Sequence, residues 1–316
     1  MDHRYIFGPV PSRRLGRSLG VNNVPPKTCS YACVYCQLGN LAGMTRERKP
    51  YYDPSDILRE VEDAIRDLDQ RGERPDFLTI VPDGEPTLDR NLGKLLTQLK
   101  PLGIQVAVIS NASTLHLPEV REELGKADWV SLKVDSVQEA TWKRVDRPHG
   151  KIHLEDMLVG LEQFSSDFHG TLVTETMLVK DINDSRENIT ENAGYLAHIR
   201  PNKAYLALPT RPPAETWVLP TTGDTLNQAY QIYRNQGLNT ELLIGYEGNE
   251  FSSTGDLETD LLSITAVHPL REDAVERLLK KTGESQITLE KLIKAGKVGV
   301  SEFQGQRYYI RKFTKS

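Results

Sequence analysis

The chain has few cysteines, no long apolar segment and no strong excess of either charge. Three cysteines in 316 residues are an odd number, and a chain of this length buries a core without disulfides, so a disulfide scaffold is disfavoured. No apolar run approaches the length of a membrane span, and we expect no membrane partner. The formal net charge of −5 gives no global argument for nucleic-acid binding, although a local basic patch is not excluded.

The three cysteines lie within eight consecutive residues, as Cys29, Cys33 and Cys36. Closely spaced thiolates bind iron strongly and let one short loop surround an iron–sulfur cluster. A structural zinc site normally takes four protein ligands, and neither His3 nor His116 stands at a finger-like spacing from the cysteines. Three thiolates on a cubane leave the fourth iron open to a small chelating ligand. The spacing therefore predicts a 4Fe–4S cluster held by these three residues.

The spacing C-x3-C-x2-C, with aromatic Tyr35 just before the last cysteine, resembles the signature of the radical SAM superfamily. The resemblance implies S-adenosylmethionine as cofactor, with its amino and carboxylate groups on the open iron and Tyr35 beside its adenine. It also implies that an electron from the cluster cleaves the sulfonium to a 5′-deoxyadenosyl radical, which abstracts hydrogen from a substrate. We expect an external electron donor of the flavodoxin or ferredoxin type.

Six short apolar stretches alternate with segments of helical period along the first two thirds of the chain. Such alternation predicts a parallel sheet with right-handed crossovers. Six repeats are too few for a closed eightfold barrel, so the expected α/β fold is a partial (β/α)6 TIM-like barrel, which the resemblance also implies. The predicted strands are residues 19–24, 77–81, 104–109, 129–134, 171–179 and 204–208.

Polar residues follow the second predicted strand as Asp83, Gly84, Glu85 and Pro86. Ligands of parallel sheets gather at the carboxyl ends of the strands. The segment is similar to the GGEP motif of the resembled family, which binds the methionyl amino group of the cofactor. A glycine lets the backbone approach a ligand, and a carboxylate complements an ammonium. Asp83 stands where the family's first glycine usually stands.

Further candidate cofactor residues end the third and fourth strands: Ser110, Asn111, Lys133 and Asp135. Their hydroxyl, amide and charged groups suit the ribose hydroxyls and the methionyl carboxylate. In the fifth strand, Glu175 must point opposite to its two threonine neighbours, but the sequence does not say which set faces the barrel interior.

Several arginines are candidates for the substrate side. Arg211 follows the sixth strand beside a rigid proline pair, which favours a cation facing the substrate. Three others precede the first strand, and they either face an anionic substrate or are solvated: Arg13, Arg14 and Arg17.

Three longer segments add a finer resemblance: GPVPSRRLGRSLGV, RPHGKIHLEDMLVGLEQF and LPTRPPAE. Together they look like the Fe–S oxidoreductases related to tRNA wyosine synthases, over about residues 5–220. Those wyosine synthases carry three further cysteines for a second cluster, which this chain lacks. Wyosine synthesis is therefore not expected.

The last part of the chain differs in character. Helical spacing at residues 257–266, 274–279 and 289–293, followed by a hairpin pattern around Gly305, predicts a winged-helix-like domain. We expect this domain at residues 250–316, after a barrel domain at residues 1–245. Ten Lys/Arg and three Asp/Glu occur from Arg277 to Ser316. Basic winged helices bind nucleic acid, peptides or partner proteins, and a simple packing role is also open.

The favoured hypothesis is a radical SAM enzyme. Its unidentified substrate is a nucleic acid, peptide or protein presented by the C-terminal domain, or a small metabolite. Two alternatives remain: a cluster-based redox sensor with a winged helix, and an activase that installs a glycyl radical in a partner enzyme. Against the sensor, polar residues end every strand of a six-stranded barrel; against the activase, the ferredoxin-like clusters common in such proteins are missing. The first residues lack the apolar core of a secretory signal, so we expect a cytoplasmic protein.

Overall fold

The computed structural model describes residues 5–39, 43–244, 255–267 and 269–312. In this part of the chain, eight strands lie in chain order across one curled sheet that forms a half-barrel. The first strand is antiparallel to the second, and the remaining neighbours are parallel. The strands are β1 Ile6–Ser12, β2 Gly16–Val21, β3 Phe77–Ile80, β4 Gln105–Ser110, β5 Trp129–Lys133, β6 Thr171–Met177, β7 Lys203–Ala207 and β8 Thr240–Leu243.

Helices connect the parallel strands and cover the outer face of the sheet. The first begins as its sequence predicts, because Asp53 accepts from the Ser55 backbone N–H (2.9 Å) and Pro54 occupies the first turn. Strand residues such as Leu78 and Val108 pack against these helices in one large apolar core. The helices are α1 Pro54–Gln70, α2 Leu92–Leu99, α3 Pro118–Leu124, α4 Glu139–Val145, α5 Leu154–Asp167, α6 Arg186–Ile199 and α7 Gly223–Asn235.

The partial-barrel fold class is confirmed, but the sheet has two more strands than the six expected. The six predicted stretches coincide with β2 to β7 within a few residues. The unexpected β1 closes one edge, and its pairing is interrupted between Phe7 and Val10, beside Pro9. The unexpected β8 is a four-residue strand that pairs with β7 at the other edge of the sheet.

The structure settles which face of β6 points into the half-barrel. Thr176 is buried against the helical layer, where its hydroxyl contacts Tyr233 (3.1 Å) and the side chain of Asn192 (3.2 Å). Glu175 therefore lies on the concave face, where it bonds to Lys133. A carboxylate, and not the two threonines, faces the interior.

The C-terminal unit folds around a small core of its own, which includes Leu261, Leu278 and Val298. It abuts the half-barrel, because Val10 of β1 packs on this core and the Tyr308 hydroxyl donates to the Thr210 carbonyl (2.9 Å). The predicted boundary between the domains, from residue 245 to residue 250, lies outside the described residues. The elements are α8 Leu257–Val267, β9 Leu270–Arg271, α9 Glu272–Thr282, α10 Gln286–Lys294, β10 Val298–Phe303 and β11 Gln306–Arg311, with an antiparallel sheet in the order β10-β11-β9.

Candidate active site

The cysteine loop follows β2 at the carboxyl end of the parallel strands, where the sequence predicts it. The end of α4 and the residue after it hold the cysteine loop, residues 28–39, in place. The backbone N–H of Ala32 donates to the Asp146 carbonyl (3.2 Å), and the backbone N–H of Val34 donates to the Val145 carbonyl (2.9 Å). The backbone N–H of Cys36 donates to the Cys33 carbonyl (3.0 Å), which forms a turn within the loop. The loop is thus fixed by backbone hydrogen bonds to a distant segment.

The three cysteines are free thiols and each is partly buried. Burial raises the pKa of Cys29 to about 12 and also raises the pKa values of Cys33 and Cys36, so the thiols are neutral until a metal displaces their protons. Within the described ranges, no three His, Cys, Asp or Glu side chains converge as ligands of one ion. A cubane binds each thiolate at a different iron, and therefore needs thiols that surround a larger group. The donor set fits a 4Fe–4S cluster.

The segment after β3, Asp83 to Pro86, packs directly on the start of the cysteine loop. The Glu85 backbone N–H donates to the Thr28 carbonyl (2.8 Å), and the Lys27 N–H donates to the Asp83 carbonyl (2.5 Å). Pro86 begins a short 3-10 turn and its carbonyl accepts from Asn23 (2.9 Å). We call residues 83–86 the DGEP loop. These hydrogen bonds join residues 56 and 57 positions apart in sequence, and so hold the two loops together at one edge of the sheet.

Glu85 lies at the centre of a buried hydrogen-bond network. One of its carboxylate oxygens accepts from the Thr87 hydroxyl (2.6 Å), the Thr87 N–H (3.0 Å) and the Ser110 hydroxyl (2.7 Å). The other oxygen accepts from the Asn111 N–H (2.7 Å). Burial raises the pKa of Glu85, and these hydrogen bonds oppose the rise. The carboxylate ties the end of β4 to the DGEP loop.

Asn111 extends this network to the cysteine loop. Its side-chain amide donates to the Ser30 hydroxyl (3.0 Å) and lies 3.6 Å from the Cys29 sulfur. Of the two residues that the sequence singles out here, Asn111 contacts Cys29 directly, whereas Ser110 joins the network through Glu85.

Tyr35, Lys133 and Asp135 meet beside Cys33. The Tyr35 hydroxyl is within hydrogen-bond distance of Asp135 and of Asp146, and the Lys133 ammonium lies 4.7 Å from the Tyr35 ring centre. The Cys33 thiol donates to Asp146 (3.4 Å). Burial and the nearby charge of Asp135 raise the pKa of Asp146 well above its ordinary value.

An interior ion cluster continues from Lys133. Its ammonium donates to Glu175 (3.0 Å) and lies 3.6 Å from Asp135, while Glu175 also pairs with Arg14. Burial lowers the pKa of Lys133, but the two carboxylates outweigh it and hold that pKa above its ordinary value. The concave face thus carries mostly buried paired charges.

Sequence reasoning missed one contributor to this region and left the role of another open. Asp146 follows α4 in an ordinary polar stretch, and no motif marks its contact with Cys33. Arg14 proves to be neither solvated nor free, since it pairs with Glu175 across the half-barrel. Arg17, by contrast, lies away from the site with its backbone N–H on Asp76 (2.7 Å). Arg211 does reach the site, since it donates to Gln37 in the cysteine loop (3.1 Å).

Among the described residues, no helix combines the length and apolar character needed to cross a membrane.

Comparison with known proteins identifies the family to which the chain belongs. Residues 23–193 match the family model of the radical SAM superfamily. The chain is 42% identical over 307 residues to a UPF0026 protein of Methanocaldococcus jannaschii, covering 96% of this chain and 95% of that protein. It is 37% identical over 209 residues to a UPF0026 protein of Synechocystis sp., covering 66% and 76%. Its fold is similar to a solved structure of TYW1 with a lysine-pyruvate adduct bound, with a TM-score of 0.55, 17% identity and coverage of 70% and 75%.

The structural likeness shows the shared fold, and the family model spans more than half of the chain. The match includes the cysteine loop, the DGEP loop and the ends of β4 and β5. The chain therefore belongs to the radical SAM superfamily.

Proposed function

We propose that this protein reductively cleaves S-adenosylmethionine at a 4Fe–4S cluster and uses the radical to abstract hydrogen from a substrate. The observation that carries the proposal is the joining of two loops: a loop with three free cysteines is bonded through Thr28 to the DGEP loop at the carboxyl edge of a parallel half-barrel. Cluster and cofactor, when bound, supply the reducing electron and the radical. The chain itself binds, orients and shields them.

The cluster ligands are Cys29, Cys33 and Cys36, which leave one iron without a protein sulfur. Asn111 contacts the Cys29 sulfur and would orient this side chain toward the cluster. The Cys33 thiol donates to Asp146, and this bond orients Cys33 until the cluster displaces the thiol proton. The backbone bonds around Ala32 and Val34 keep the loop from opening.

The residues that would hold the cofactor are those of the DGEP loop and of the ends of β4 and β5. The DGEP loop, Asp83 to Pro86, would bind the methionyl amino group. Ser110 and Asn111 lie next to it, and Lys133 and Asp135 complete the pocket for the methionyl carboxylate and the ribose. Tyr35, oriented through its hydroxyl by the two aspartates, lies beside the adenine.

The C-terminal unit presents the substrate. Its order, one helix, a short strand, two helices and a hairpin, is that of a winged helix, and its contact with Thr210 places it beside the loop that carries Arg211. The outer face of α10 includes Lys291 and Lys294, both exposed, with Ile287 64% exposed. Such a surface suits a macromolecule, either a nucleic acid or a peptide segment.

Salt dependence separates these two partners. Binding of a mixed-sequence RNA or DNA oligonucleotide weakens linearly in log–log form with salt, because phosphate neutralisation by residues such as Lys291, Lys294, Arg307 and Arg311 releases counterions. A salt-insensitive interaction would instead favour a peptide or protein.

The decisive test of the proposed function is release of 5′-deoxyadenosine by the anaerobically reduced, cluster-loaded protein. The redox sensor predicts an intact cluster and no cleavage. The glycyl-radical activase predicts that cleavage leaves a stable radical on a partner enzyme. An electron donor of the flavodoxin or ferredoxin type and a cytoplasmic location complete the proposal.

A further inference from the structure

The DGEP loop contains two carboxylates, and they differ in how their oxygens are used. Glu85 is 1% exposed, and its two oxygens accept four hydrogen bonds from Thr87, Ser110 and Asn111. A ligand donor would have to displace Thr87 or Ser110 from one Glu85 oxygen, or compete with the Asn111 N–H at the other, and displaced buried donors would be left unsatisfied. Glu85 is therefore a positioning residue that holds the loop.

Asp83 is the other carboxylate, and its backbone is firmly fixed. Its N–H donates to the side chain of Asn22 (3.2 Å), and its carbonyl accepts from Lys27 (2.5 Å). The side chain, however, has an oxygen, Oδ1, that is shielded from solvent and finds no hydrogen-bond donor in the part of the chain that the structure describes. Asp83 is 4% exposed overall.

A buried carboxylate with an unsatisfied oxygen is unfavourable unless a donor or a cation arrives. Burial raises the pKa of Asp83 to about 7, and Arg311 of β11 lowers it from a neighbouring position. The Asp83 carbonyl accepts from Lys27, two residues before Cys29, and the Glu85 N–H donates to Thr28, so this carboxylate belongs to a loop packed on the start of the cysteine loop. The missing donor would therefore be supplied next to the cluster.

We propose that Asp83, and not Glu85, is the carboxylate that accepts a hydrogen bond from the amino group of S-adenosylmethionine in this chain. The inference rests on the proposed function, in which the DGEP loop would bind that amino group. In the resembled motif the corresponding position is a glycine with no side chain to offer. Asp83 thus differs from the glycine of the resembled motif in offering a carboxylate that can accept a hydrogen bond from the amino group.

The test uses the anaerobic, cluster-loaded full chain with the cluster oxidised, so that the cofactor binds without being cleaved. Binding of S-adenosylmethionine and of its deamino analogue, in which hydrogen replaces the amino group, is measured by calorimetry. The variants are Asp83→Asn and, as the matched control in the same loop, Glu85→Gln. Cluster content and thermal unfolding of each variant are recorded alongside.

We expect Asp83→Asn to bind S-adenosylmethionine roughly tenfold more weakly, with cluster content unchanged and thermal stability equal or higher. Asp83→Asn should not change binding of the deamino analogue, because that analogue has no amino group to donate to residue 83 in either protein. Glu85→Gln should lose stability and cluster, while the loaded fraction keeps its affinity.

Unchanged affinity in Asp83→Asn, with a loss confined to cluster-loaded Glu85→Gln, would overturn the proposal and return the role to Glu85. Should Asp83→Asn fail to load a cluster, Asp83→Gly restores the glycine of the resembled motif and is tested in its place. Failure of both would show that Asp83 is structural, which also overturns the proposal. If cluster-loaded wild-type protein does not bind S-adenosylmethionine, the proposed function itself is wrong, a result distinct from the others.

Discussion

Gly84 and Thr28 touch so closely that no side chain fits between them. A Cβ atom at position 84 would stand 2.1 Å from the Thr28 carbonyl oxygen, and that oxygen also accepts the Glu85 N–H. The atoms in the way belong to the backbone, which cannot swing aside as a flexible side chain would. The cysteine loop and the DGEP loop therefore depend on a glycine for their contact.

Replacing Gly84→Ala should separate the two loops. We expect a loss of about 1–3 kcal/mol of stability from overpacking and a fall in cluster content after anaerobic reconstitution. Gly194→Ala in α6 is the matched control, since a Cβ there meets nothing within 4 Å and alanine favours the helix. Equal iron content in the two variants would contradict the account of the loop contact.

Glu175 holds two cations in the interior, Arg14 and Lys133. Glu175→Ala should leave both without this partner in a largely buried place and lower the free energy of unfolding by about 3–5 kcal/mol. The control is Glu139→Ala, which removes an exposed pair with Lys143 and should change stability little. Denaturant unfolding under anaerobic conditions measures both. Similar small effects would mean that the interior cluster is well hydrated.

The raised pKa of Asp83 predicts a pH-dependent difference between wild type and Asp83→Asn. An acid with a folded pKa of about 7 and an ordinary value of 3.8 binds its proton more tightly in the folded state. Its stabilising contribution is complete below the ordinary value and is lost as pH rises through about 7. The variant should therefore gain on wild type between pH 5 and pH 8, by ~4 kcal/mol at most. A difference in unfolding midpoint that does not change with pH would contradict this.

Deleting residues 250–316 tests the division into two modules. Every cysteine and proposed cofactor contact lies before residue 180, so we expect the cluster and uncoupled cofactor cleavage to remain nearly unchanged. Hydrogen abstraction from the true substrate should fall steeply, because positioning a bound partner accounts for several kcal/mol of a barrier. The deletion also removes the core on which Val10 packs, and so exposes this side chain. The shortened chain therefore carries the substitution Val10→Thr, which is expected to limit aggregation. A truncated protein that loses its cluster would show that the C-terminal unit is part of the barrel's packing.

Local sequence patterns predicted much of this fold because the strands β2 to β7 and their helices carry clear apolar periods. The edge strand β1 escaped prediction, since Pro9 and Pro11 interrupt a segment that pairs on one side only. The strand β8 reads TELL, so only two of its four residues are apolar and no apolar run marks it, unlike the equally short β3, which reads FLTI. Both strands form because β2 and β7 leave an edge of the sheet open for pairing. A local sequence pattern contains no information about that neighbouring edge.

The candidate site shows the same limit. The residues at the ends of β3, β4 and β5 were predictable, because a parallel sheet brings those ends together. The direction of Glu175 was not, since a period of two gives alternation without saying which set faces inward. The contact of Asp146 with Cys33 joins residues 113 positions apart. Only the folded crossover through α4 brings them within reach.

The central claim is tested most directly by the fate of S-adenosylmethionine on the reduced protein. The full chain is reconstituted anaerobically, its iron and sulfide are counted, and it is reduced with dithionite before the cofactor is added. We predict about four irons and four sulfides per chain and a slow release of 5′-deoxyadenosine even without substrate. Cys33→Ala should give neither. An intact, reduced cluster that leaves S-adenosylmethionine uncleaved would contradict the account, as would zinc in place of iron after anaerobic purification.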